Sequence, residues 1–147
     1  MRAVGERPRR AERTIAVNLI LNVLWFVFGG FAAGIAWLVG AFVLAVTIVG
    51  LSWAAAAARI GLFSFAPFGR QVVDRRWVSG RADLGTGCLG EALNIVWFFV
   101  AGWYIALAHI LVGAALAVTI IGIPFAIQHF KLALIALAPV GKTVVPA

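Results

Sequence analysis

Few side chains in this 147-residue sequence could do chemistry, and most of them are neutral. Asn22 and Asn94 each stand near the start of a long apolar run, and Thr47, Thr119 and Gln128 lie further along the same runs. Amides and hydroxyls of this kind can line a wet path and select solutes without charged rings. They can also hold helices together by bonding each other, as Asn22 and Asn94 would across a symmetry axis. His109 and His129 are the groups near the core that could change charge at physiological pH. Cys88 is the sole cysteine, so there is no intrachain disulfide and no zinc site. It is expected to be a small packing residue, with acylation as the alternative. Neither apolar run, residues 14–58 or 92–130, contains Asp or Glu, which proton- and cation-coupled pumps commonly place there. The sequence offers no phosphate-binding glycine loop, no metal-ligand cluster and no Ser-His-Asp or Cys-His set. No enzyme, cofactor or metal is therefore expected.

The elements that must position these residues follow from composition. The chain is 64% hydrophobic and 12% charged, against roughly 45–50% and about 25% in soluble domains. A small soluble domain leaves too much surface wet to hide that much apolar area, so lipid must be its solvent. Each charge-free run is about twice the roughly 20 residues of one membrane span. Every backbone polar group must be satisfied inside the bilayer, which favours two helices joined by a tight turn. The predicted fold is all-α and polytopic, with spans at 16–36, 39–58, 92–110 and 112–130. Its turns are placed at Trp37–Gly40 and His109–Gly113. Residues 1–15 form a basic tail, 16–73 the first hairpin, 74–91 a linker and 92–145 the second hairpin. The basic start resembles a secretory signal, but its apolar run is far too long for one.

The net charge of +7 would ordinarily raise nucleic acid as a partner. The position of the charges argues otherwise. Arg2, Arg7, Arg9, Arg10 and Arg13 crowd the tail, and Arg70, Arg75, Arg76 and Arg81 lie in the central polar segment. An even number of spans in each half puts all of them on one side, which the excess of Lys and Arg marks as cytoplasmic, with both termini inside.

The two runs are copies 72 residues apart. Asn22, Trp25, Phe26 and Gly30 fall on Asn94, Trp97, Phe98 and Gly102. Leu44 to Ile48 falls on Leu116 to Ile120, Gly50 on Gly122, Arg59 on Lys131, Ala66-Pro67 on Ala138-Pro139, and Val72-Val73 on Val144-Val145. Parallel repeats related by an axis along the membrane normal are expected. Trp25 and Trp97 read as interface anchors. Gly29, Gly30, Gly34, Gly102 and Gly113 read as small residues for close helix packing. Gly122 and Pro124 are read as a helix break near the end of the last span, weaker or absent in the first copy, where Ser52 replaces the proline. Arg59 and Lys131 are expected to snorkel to anionic phospholipid headgroups. Residues 60–66 and 132–138 are expected to be short interfacial helices.

These residues resemble the YccF family of bacterial inner-membrane proteins. The second copy carries Asn94-Ile-Val-Trp-Phe, Ala101-Gly-Trp, Thr119-Ile-Ile-Gly-Ile-Pro-Phe, Gln128-His-Phe-Lys-Leu-Ala and Ala138-Pro-Val-Gly-Lys. The first carries Asn22-Val-Leu-Trp-Phe, Gly29-Gly30, Thr47-Ile-Val-Gly and Ala66-Pro-Phe-Gly, and departs from the family pattern at Leu51-Ser52-Trp53. The resemblance runs from residue 16 to the end. It implies an inner-membrane location and a repeated hairpin, and it specifies no activity.

Two functions fit this pattern. The first is a pore or facilitator for small ions or solutes, lined by Asn22, Asn94, Thr47, Thr119 and Gln128, with a homo-oligomer completing the path. The second is a non-conducting scaffold or regulatory subunit that docks another membrane protein while its basic segments hold anionic lipid. A pore requires the polar residues to converge on one axis, whereas a docking module leaves them pointing to separate places.

Overall fold

The computed structural model describes residues 6–47 and 50–147. Each charge-free run folds as a helical hairpin, but the turn comes later than the sequence predicts. In the first, α1 (Glu6–Trp25) continues through a π-helical turn (Phe26–Gly30) into α2 (Phe31–Val46), and α3 (Leu51–Phe65) returns alongside α2. In the second, α5 (Cys88–Trp97), a π-helical turn (Phe98–Gly102) and α6 (Trp103–Ala117) are followed by the returning α7 (Ile123–Leu137). Trp37–Gly40 and His109–Gly113, the predicted turns, lie inside α2 and α6. An isolated glycine is tolerated within a helix at a cost of about 1 kcal/mol, and nothing else in those stretches stops one.

What does stop the helices is threonine followed by glycine. Thr47 donates its hydroxyl to Leu44 O at 2.9 Å and accepts Gly50 N–H at 3.0 Å. Thr119 repeats this with Leu116 O at 3.1 Å and Gly122 N–H at 3.0 Å. A Cβ on Gly50 or Gly122 would collide with the Leu44 or Leu116 carbonyl, so only glycine fits. Gly122 caps α7, and Pro124 sits in its first turn, where no amide hydrogen is needed. The break is thus between the two helices of the hairpin, not near the end of a last span. It is equally present in the first copy, because the threonine and glycine make it without a proline.

The helices Ala11–Val46 and Cys88–Ala117, of 36 and 30 residues, are long and apolar enough to cross a membrane. The returning helices have 15 residues each, fewer than the roughly 20 of a span. Residues 60–66 and 132–138 are not separate interfacial pieces: they continue α3 and α7 to their ends and include core side chains such as Phe63 at 1% and Leu132 at 0% exposed.

The fold is also not purely helical. After each Ala-Pro pair, a glycine with positive φ, Gly69 (78°) and Gly141 (84°), turns the chain into a strand. β1 (Arg70–Asp74) and β2 (Lys142–Pro146) pair antiparallel with Val72 opposite Val144, residues that occupy equivalent positions in the two copies. Ribbon closure is matched at both ends: Arg75 N–H bonds Gly141 O at 2.8 Å, and Ala147 N–H bonds Gly69 O at 2.9 Å. The β-branched Val-Val pairs suit a strand, a signal the long hydrophobic runs overshadowed. Asp74 caps the short α4 (Arg75–Ser79) by accepting Arg76 N–H.

Candidate functional site

Asn22 and Trp25 stand three apart on one face of α1, as Asn94 and Trp97 do on α5. Each pair grips the far end of its own hairpin. Asn22 donates Nδ2–H to Phe68 O at 3.0 Å and accepts Phe68 N–H at 2.9 Å. Asn94 does the same with Val140, at 3.1 and 2.9 Å. Trp25 Nε1–H donates to Ser64 O at 2.6 Å, and Trp97 Nε1–H to Ala136 O at 2.7 Å. Asparagine therefore holds the residue after the proline, and tryptophan holds the last turn of the returning helix. Gly30 and Gly102 lie against the indoles, where a Cβ would crowd the ring.

This arrangement corrects three expectations. Asn22 and Asn94 do not bond each other, because each amide is engaged within its own half. Trp25 and Trp97 are buried, at 2% and 5% exposed, and are not membrane-interface anchors. Thr47 and Thr119 sit at the opposite end of the hairpins, with their hydroxyls used by the turns. The predicted pore residues are not brought together.

The halves meet through aromatic rings. Trp25 stacks on Phe125 with centroids 6.3 Å apart, and Trp97 faces Trp53 at 6.4 Å. Phe125 and Trp53 are equivalent positions, so the same contact is made twice. Trp53 adds a bond from Nε1–H to Leu93 O at 3.0 Å, which a phenylalanine cannot supply. The sequence reading did not single out Trp53, because its partners Trp97 and Leu93 lie some forty residues away.

His109 and His129 face each other from α6 and α7, with Nδ1 atoms 3.0 Å apart. One Nδ1 must carry the hydrogen and the other accept it. The His129 ring also lies 5.0 Å from Trp25. In the first half the equivalent positions are Trp37 and Ala57, where one large ring stands in for two small ones. Trp37 and His109 both line a cavity of about 230 Å³, with Leu44, Ala57, Trp97 and Ile105. Two imidazoles alone make a poor metal site, and no cluster of three His, Cys, Asp or Glu exists among the described residues.

Gln128 is buried, and its Oε1 has no hydrogen-bond partner. Its counterpart is Ala56, so the amide is private to the second half. Arg59 is half-buried in a groove with Val72, Lys142, Thr143 and Val144. Lys131 is exposed in a groove with Gln71 and Val72. Both cations thus lie beside the ribbon. Cys88 is exposed at the start of α5, not packed inside.

The linker is held by charge. Arg75 grips Asp83 through two bonds of 2.7 Å, and Arg76 pairs with Asp74 at 3.1 Å. The Arg75 hydrogen bond holds the Asp83 carboxyl below the usual carboxylate range, and the Arg76 hydrogen bond does the same to Asp74.

Comparison with known proteins bears on the whole arrangement. The YccF family model, described as an inner membrane component domain, matches twice, at residues 20–70 and 92–142. Each match includes the gripping asparagine, the residue it holds and the glycine turn that follows. "Inner membrane protein YccF" of Escherichia coli (strain K12) is 42% identical over 132 residues, covering 88% of each chain, and the protein of the same name from Shigella flexneri matches equally. No solved structure matches. With both halves matched by the family model and relatives of this identity aligned over most of their length, the chain belongs to the YccF family.

Proposed function

We propose that this chain is a non-conducting component of the bacterial inner membrane, a scaffold that docks another membrane protein. The observation that carries this reading is the fate of the polar side chains. Asn22, Asn94, Thr47 and Thr119 are each committed to backbone of their own half, at opposite ends of the hairpins. A conducting path needs groups free to replace a solute's hydration, and these are not free. The cavity between Trp37 and His109 is lined mainly by apolar side chains. A self-assembled path is therefore not needed to explain these four residues.

The inner-membrane location is supported by the names of the matching relatives and by two long apolar helices. Outward-facing apolar side chains supply the docking surface: Val27 and Phe28 at the first π-helical turn, and Phe99 and Val100 at the second, are 67–79% exposed. The basic tail and linker face the cytoplasm and hold anionic lipid headgroups. Photocrosslinking in intact cells tests the docking. Benzoylphenylalanine at Phe28 or Phe99 should give a discrete protein adduct whose mass is not that of a homodimer. Adducts to lipid alone from both positions would overturn the reading.

A further inference from the structure

We propose that the two hairpins are re-entrant: their tips end among the acyl chains and never reach the periplasm. The proposal rests on the membrane location given above and concerns depth within that membrane.

Depth is set by two cations on the returning helices. Arg59 and Lys131 line grooves against the β-ribbon, sharing them with Gln71, Val72, Lys142 and Thr143. That ribbon also carries Arg70 and Asp74 and leads into the charged linker, so it belongs in water or among headgroups. The exposed Lys131 must lie at the same level, because a charge facing lipid near the bilayer centre is strongly disfavoured. Only the first eight residues of α7, Ile123 to Phe130, separate Lys131 from the turn. At 1.5 Å per residue they reach about 12 Å. Arg59 stands at the same distance from the start of α3. The hydrocarbon core is about 30 Å thick, so tips hung from this level stop near its middle. A tip on the far side would instead drag Lys131 into the core.

The tips are built for such a place. Val118, Ile120 and Ile121 are 84–87% exposed, and Val46 is 71% exposed at the first tip. A turn emerging into water has no use for such a surface. Irregular backbone is tolerated in hydrocarbon only if its polar groups are satisfied within the protein, and the threonine and glycine of each tip meet part of that demand locally. Thr47 N–H and hydroxyl both reach Leu44 O, and Gly50 N–H reaches the hydroxyl. Thr119 repeats the pattern, with Gly122 N–H also bonding Thr119 O at 3.0 Å. Gly50 O and Gly122 O accept the first amides of the returning helices, from Ala54 and Ala126. Threonine at this position is thus explained by dehydration of the turn, without a solute.

Nitroxide depth measurement tests the proposal. In a Cys88→Ala background, Val46→Cys and Ile121→Cys would be spin-labelled in phosphatidylethanolamine–phosphatidylglycerol vesicles, with Ser79→Cys and Ile127→Cys as references. The expected result at both tips is frequent collision with oxygen and loss of collision with a water-soluble nickel chelate, relative to Ser79→Cys. Nickel collisions at the tips matching those at Ser79→Cys would overturn the proposal, because the tips would then be in water. Low collision with both reagents and an immobilised spectrum would also overturn it, because protein would then cover the tips. Aqueous readings at Ile127→Cys as well, between Lys131 and the tip, would fail the membrane location itself. Bilayer conductance is independent of all these outcomes.

Discussion

Replacing Asn94 with leucine removes two hydrogen bonds at once, from Nδ2–H to Val140 O and from Val140 N–H to Oδ1. A typical intramolecular hydrogen bond contributes about 0.5–1.5 kcal/mol net, and a buried group left without a partner costs about 1–3 kcal/mol. In membrane proteins individual interhelical bonds average about 0.6 kcal/mol. Asn94 is half-buried, so the freed Val140 groups regain some hydration, and a loss of about 2 kcal/mol is expected. Asn22→Leu should cost a similar amount through Phe68. The two asparagines share no partner, so the double variant should lose the sum to within about 0.5 kcal/mol. Unfolding by a graded mole fraction of dodecyl sulfate in mild detergent, followed by tryptophan fluorescence, measures all three. A coupling energy above about 1 kcal/mol would mean that the amides act together, and the assignment of each to its own half would be wrong.

Four further outcomes follow from the geometry. Gly122→Ala should destabilise by about 1–3 kcal/mol, as overpacking does, because its Cβ would meet Leu116 O. Gly40→Ala has open space within α2 and should be neutral or stabilising in the same unfolding assay; a large loss at Gly40 would restore the turn to residues 37–40. Trp97→Phe keeps most of the ring but strands Ala136 O, and should lower the unfolding midpoint more than Trp103→Phe, whose indole is half-exposed. In the linker, Asp83 has a depressed carboxyl pKa. Its contribution is fully present above the unfolded value near about 3.9 and is lost as pH falls through the lower folded value. Hydrogen exchange at Gly85 N–H, which bonds Asp83 Oδ1 at 2.8 Å, should therefore quicken on acidification beyond the intrinsic trend, and Asp83→Asn should remove that pH dependence.

The membrane setting and the two-hairpin plan were legible because hydropathy and charge are long-range signals that need no packing detail. The spacing of Asn22 on Asn94 and Trp25 on Trp97 marked the residues that matter, but their partners were out of reach. An amide that bonds backbone 46 residues away looks, in sequence, the same as one that lines a path. The turns were misplaced because Trp37–Gly40 divides the run evenly, whereas the actual stop is set by the clash a Cβ would make at Gly50. The ribbon was missed because Val72-Val73 and Val144-Val145 gain a pairing partner only once both halves are folded.

Conductance tests the central claim most directly. Purified protein should be reconstituted at high density in planar bilayers of anionic and zwitterionic lipid, with its folded state checked in the same preparation. The account predicts a membrane as resistive as lipid alone across voltage and pH, with Asn94→Leu and Thr119→Val indistinguishable from the parent. Discrete single-channel steps, reduced by Asn94→Leu and unchanged by Cys88→Ala, would contradict it.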